Sequence, residues 1–243
     1  LKAFRVRKVF TAGRLIAEDG RVLIPLDDAA AGAPSHSIHL KPLAEDALSL
    51  PVRTGKARVI GIEPASLVTK SLVREVKTDD AGCFQSALNP GLTKIAVIER
   101  HKRTGKLGIG ILEGYGLTGG AIATTISHDS HNIVVAGDND PDMLLAVREL
   151  ADMGGGIVSV HGGAIRRLPL PIAGLMTSAD PQEVNAVLHD MLVAARAELG
   201  IPEDVEPFMT LSFMALPVIP ELKLTARGLF NVNTFSFVGV EAD

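Results

Sequence analysis

The 243 residues are 47% hydrophobic and 21% charged, with a formal net charge of −4, a globular profile with chain enough for a sizeable core. That balance leaves no basic footprint for nucleic acid, and no apolar run approaches the ~20 residues of a membrane span, so neither partner is expected. The single cysteine, Cys83, excludes an internal disulfide framework and a cysteine-based zinc cluster, and fits a reducing, cytoplasmic setting. Leu1 stands where Met would, and the opening LKAFRVRKVF reads like a chain already under way, so a piece of a longer polypeptide is expected.

In chain order, VRKVF, RLIAE and RVLI alternate in strand fashion around turns at Ala12-Gly13 and Asp19-Gly20, a hairpin pattern. After Pro25 the run LDDAAAGAPSHSIHLKP reads as a linker or surface arm. Its His36 and His39 have HxxH spacing but no third ligand nearby, and are read as solvated. From about Ala57 a second unit begins, with strands in ARVIGI, SLVTKSLVREV, KIAVIER, LGIGILEG and IVVAG. A helix is expected from an Asp140 N-cap, through Pro141, to Gly154. A second opens at Asp180-Pro181, with Glu183 placed for a capping box, and carries a stripe at Val184, Val187, Leu188, Met191, Leu192, Ala195 and Leu199. His189 falls off that stripe and is read as solvated. Between the helices, GGIVSVHGGAIRRLPLP reads as a hairpin turning at His161-Gly162-Gly163. The tail alternates through FMTLSFMALPVIPELKLT and closes with NTFSFVGV. Strands and helices show no regular βαβ period, so the fold is read as α+β, with a mixed α/β unit at its C-terminal side.

Two motifs carry candidate chemistry. GYGLTGG, Gly114 to Gly120, fits G-x-G-x-x-G, with Asp138 about 20 residues on where a ribose-binding acid would stand. A dinucleotide site needs a helix opening at the last glycine. The residues after Gly120, AIATTISHDSHNIVV, have no helical stripe, so a turn with close backbone approach is preferred. The second motif is HDSHN, His128 to Asn132, five polar residues between apolar runs. Adjacency in sequence argues against a Ser-His-Asp triad. The segment supplies at most two ligands to one metal, with Glu99 and His101 as conceivable partners. A polar loop bonded to its own backbone, a substrate or partner contact, and a metal site all stay open.

Three blocks resemble a known family. GAIATTISHDSHNIVVAG, GGGIVSVHGGAIRRLPLPIAGLMT and PFMTLSFMALPVIPELKLTARGLF, together with KIAVIERH and ARVIGIEPASLVTK, look like the C-terminal domain of the bacterial adenine deaminases, over roughly residues 57–240. FRVRKVFTAGRLIAEDGRVL is similar to the returning strands of the small β-sandwich that flanks the barrel of amidohydrolase-superfamily enzymes. The resemblance implies returning sandwich strands over 1–26, a linker or arm over 27–56, and an adenine deaminase C-terminal domain over 57–243. It implies hydrolysis of adenine to hypoxanthine and ammonia, hence a place in purine salvage or adenine catabolism. The family's divalent metal, manganese or iron, is bound by a (β/α)₈ barrel whose ligands begin with an H-x-H pair; none of that barrel is here. No metal site and no self-sufficient catalytic residue are therefore expected in this chain. The expected partners are adenine, the barrel of the same protein, and further copies in a homo-oligomer. In that setting His128, Asp129, His131 and Asn132 are expected to line the pocket from the side of this domain. The alternative is a non-catalytic accessory domain serving subunit contacts and stability.

Overall fold

The computed structural model describes residues 5–25, 32 and 34–242, in two compact units, Leu1–Gly32 and Ala33–Asp243. In the first, β1 (Lys8–Thr11), β2 (Arg14–Glu18) and β3 (Arg21–Val22) form an antiparallel meander. Its turns fall where the sequence puts them. Ala12, Gly13, Asp19 and Gly20 all take positive φ, the tight-turn geometry whose twist matches that of paired strands. Phe10, Val22 and Leu23 stay exposed, because a three-stranded ribbon has no second layer of its own to bury them.

The second unit is built on eight strands: β4 (Lys56–Ile62), β5 (Thr69–Glu75), β6 (Leu92–Ile98), β7 (Leu107–Glu113), β8 (Gly120–Thr124), β9 (Ile133–Gly137), β10 (Gly156–His161) and β11 (Ala164–Pro169). They form one sheet in the order β11-β10-β8-β9-β6-β7-β4-β5, antiparallel except where β4 pairs with β7. Its central strands read as unbroken apolar runs because both faces are covered. Side chains alternate across a strand, and the two sets enter different cores. Ile95, Val97, Ile122, Val134 and Ala136 join one core; Ala96, Ile98, Ala121, Ala123, Ile133 and Val135 join the other.

The second of these cores is roofed by α1 (Asp140–Asp152), through Met143, Leu144, Val147 and Leu150. Its N-cap is Asn139, one residue before the expected Asp140. Asn139 Oδ1 accepts from the Asp142 amide at 2.9 Å, while Asp140 pairs with the buried ammonium of Lys94. The first core is closed by α2 (Pro181–Ala197), α3 (Pro207–Phe213) and a small sheet of β12 (Leu222–Thr225), β13 (Gly228–Asn231) and β14 (Ser236–Val238). Asp180 caps α2 by accepting from the Gln182 amide at 2.7 Å. The helix α3 replaces the extended alternation expected of the tail. Glu206 caps it by accepting from the Met209 amide, Pro207 stands in its first turn, and the inward residues Phe208, Leu211 and Ser212 recur with helical spacing.

Residues 34–56, read from sequence as linker or arm, are laid along this unit; 26–31 and 33 lie outside the described residues. Leu48 and Val52 are 0% and 2% exposed, and the Phe84 amide donates to Leu50 O at 2.8 Å. No described helix is long and apolar enough to cross a membrane.

Candidate functional site

The HDSHN residues form the connection from β8 to β9. Before them Thr125 is anchored on both sides: its amide donates to Gly156 O at 3.0 Å, and its hydroxyl donates to Gly174 O while accepting from the Gly156 amide. Ser127 is fully buried, and its Oγ has no partner among the described residues. From there the chain turns outward, with its backbone fixed at residues 128, 130 and 131. The His128 amide donates to Ser212 O of α3 at 3.0 Å, and the His131 amide returns to Ser127 O at 2.6 Å. Ser130 O meets His101 Nε2 at 2.8 Å. His131 sits at φ 47°, the left-handed region that non-glycine residues enter only when the surroundings hold them there.

The side chains divide. Asp129 is 86% exposed and lies 4.0 Å from His128 Nδ1, too far for a firm hydrogen bond. The His128 ring lies against Phe213, centroids 4.6 Å apart, and meets the His131 ring edge-on at 5.8 Å. His131 Nδ1 is buried with no partner among the described residues. Burial, then the neighbouring His128 and Arg100, draw the His131 pKa below the ordinary imidazole value, so the ring is held neutral, with one nitrogen to donate and one to accept. Asn132 is only 9% exposed and turns inward, its Oδ1 accepting from the Arg100 amide at 3.4 Å. The structure thus brings His128, Asp129 and His131 to one exposed loop and places Asn132 beneath it.

The conceivable metal partners are committed elsewhere. Burial pushes the Glu99 carboxyl up, but the Thr104 hydroxyl and the amides of Thr104, His101 and Lys102 hold it down at about 2; it organises the turn after β6. His101 is spent on Ser130 O. His36 and His39 are exposed. Among the described residues, no three of the types His, Cys, Asp and Glu converge as metal ligands, so this part of the chain does not fit the divalent ion that the resemblance implies.

The GYGLTGG stretch runs into strand β8, with no helix opening at its last glycine. Asp138 accepts from the amides of Gly119 and Gly120, at 2.5 and 3.0 Å, so the acid at the ribose-binding distance ties the turn instead. A Cβ on Gly120 would stand 1.9 Å from Val160 O of the paired strand: these glycines serve close backbone approach. A cavity of about 810 Å³ lies between the end of β5 and residues 88–92, and takes none of its lining from the HDSHN loop.

Sequence reasoning missed three contributors to this loop. Arg100 reads as a charge closing a strand, yet it is 1% exposed and donates through Nε to His131 O. Phe213 lay in a tail read as extended. Ser127 has no neighbour in sequence that signals its burial.

Residues 66–236 match the family described as the adenine deaminase C-terminal domain. An adenine deaminase of Nitratidesulfovibrio vulgaris (strain Hildenborough) is 57% identical over 241 residues, covering 99% of this chain and 42% of its own length. Adenine deaminase 2 of Carboxydothermus hydrogenoformans is 45% identical over 244 residues, with coverage of 99% and 42%. An adenine deaminase of Geobacillus kaustophilus is 42% identical over 247 residues, with coverage of 100% and 42%. The chain thus spans about two fifths of the length of these relatives.

Proposed function

The chain belongs to the adenine deaminase C-terminal domain family, and from that premise we propose that it is part of an enzyme converting adenine and water to hypoxanthine and ammonia, in which it closes the pocket of a catalytic barrel and helps to hold adenine. The observation that carries this is the contrast within the HDSHN loop. Its backbone is fastened at residues 128, 130 and 131, while the Asp129 carboxylate stays 86% exposed and the His128 side chain 38% exposed. Fixed backbone with unspent polar side chains is what a binding surface requires, since the ordering cost is met before the ligand arrives.

In this reading the divalent metal, manganese or iron, belongs to the barrel, and this chain contributes binding, orientation and exclusion of water. Asp129 accepts a hydrogen bond from a purine N–H, its carboxylate being 86% exposed. Asn132 braces the loop from below. His131, neutral, can take a proton at one ring nitrogen while its other nitrogen donates.

The test is Asp129→Ala and His131→Ala, made separately in the full enzyme. Each is expected to lower turnover by roughly tenfold or more, with metal content and melting temperature unchanged. Near-normal kinetics in both variants would sink the pocket reading. Activity and thermal stability falling together would favour the accessory role in subunit contacts and stability.

A further inference from the structure

Arg100 stands two residues beyond β6 and is 1% exposed. Every acceptor it reaches among the described residues is neutral. Nε donates to His131 O, Nη1 to Ser37 O at 3.2 Å and Ser37 Oγ at 3.1 Å, and Nη2 to Ala173 O at 3.0 Å. The backbone of the same residue extends the junction: its amide faces Asn132 Oδ1, and its carbonyl accepts from the His39 amide at 2.7 Å. Gly174 comes so close that a Cβ there would lie 2.8 Å from Nη1. Three segments distant in sequence, at 37, 131 and 173, meet on one side chain.

Burial alone draws the Arg100 pKa down, and among the described residues no carboxylate pairs with it. For stability alone, an apolar side chain of similar volume would often serve as well as a buried charge. What arginine supplies is a rigid planar fork with donors aimed in three directions. One tine ends on the carbonyl of His131, the residue held at φ 47°. Released, that peptide can rotate toward the commoner negative φ, and the His131 ring would turn with it.

Resting on the reading that this loop faces the purine, we infer that Arg100 is a positioning residue for His131: it grips the His131 carbonyl against Ser37 and Ala173, and so sets the direction of the His131 ring. Lysine keeps the charge but cannot reproduce the fork.

The experiment is a mutant cycle in the full enzyme: Arg100→Lys alone, the pair Asp129→Ala with His131→Ala, and all three together, assayed below the melting temperature of each. Arg100→Lys is expected to lower kcat by roughly tenfold to a hundredfold, since misplacement by about 1 Å can cost that much, with metal content unchanged. In the background lacking both loop side chains, it should cost less than about twofold more, because nothing remains to be positioned. An equal further loss in both backgrounds would make Arg100 a general structural residue and overturn the inference, as would parental kcat in Arg100→Lys. Failure of Arg100→Lys to fold counts against it in the same way. If the variant lacking Asp129 and His131 side chains keeps parental turnover, the pocket reading has failed and the inference falls with it. If that variant is impaired while Arg100→Lys is not, Arg100 alone is refuted.

Discussion

Lys223 lies in β12 among Leu222 and Leu224, fully buried, and its ammonium donates to Leu67 O at 2.8 Å. Burial takes its pKa from the ordinary 10.5 to about 8. Below pH 8 both folded and unfolded chains carry the proton, and the cost of burying the charge is present in full. Between pH 8 and 10.5 the unfolded chain binds more protons, so stability rises with pH across that window. At about 1.4 kcal/mol per pH unit, the drop from 10.5 to about 8 is worth about 3 kcal/mol. Lys223→Met removes this cost but leaves the Leu67 carbonyl without this donor, a penalty of about 1–3 kcal/mol. At pH 7 the variant should therefore equal or exceed the parent by up to about 2 kcal/mol. At pH 10.5 it should be the less stable of the two, since the neutral amine still donates to Leu67 O. Urea titrations of both proteins at pH 7, 9 and 10.5 measure the difference directly. A stability gap that does not change with pH would refute the charge-burial argument.

The packing around the loop sets two further outcomes. Glu99→Gln should destabilise the chain by about 1–2 kcal/mol at pH 7, discounted for partial exposure; because the Glu99 carboxyl is held at about 2 against an ordinary 4.5, the gap should close as pH falls from 4.5 toward 2, which acid titration of both proteins checks. Gly120→Ala puts a methyl 1.9 Å from Val160 O and must part β8 from β10, at about 2–4 kcal/mol in urea denaturation.

How far the sequence went depended on whether the controlling contacts were local. The meander turns were legible because Asp19-Gly20 needs only its own backbone, and α2 was legible because the Asp180 cap and most of the apolar stripe are local, although Val187 on that stripe is exposed and Leu199 lies past the helix end. The sheet was legible as strands, but its order was not: nothing in KIAVIER says that it pairs with β9 as well as β7. PFMTLSF carries apolar residues at intervals that suit either strand or helix, and its cap, Glu206, acts through one amide. The arm resisted reading because Leu48, Leu50 and Val52 owe their burial to strands far along the chain. In the candidate site the polar cluster itself stood out. Its support did not, since Arg100, Ser37 and Ala173 are brought together only by the fold.

The most direct test of the pocket-closing role is adenine deamination by this chain alone, by the catalytic barrel portion alone, and by the two mixed, with metal content determined in each. Substantial activity only in the mixture, with the metal in the barrel portion, is the predicted result. Activity with stoichiometric metal in the isolated chain, or full activity of the barrel portion without it, would contradict that role.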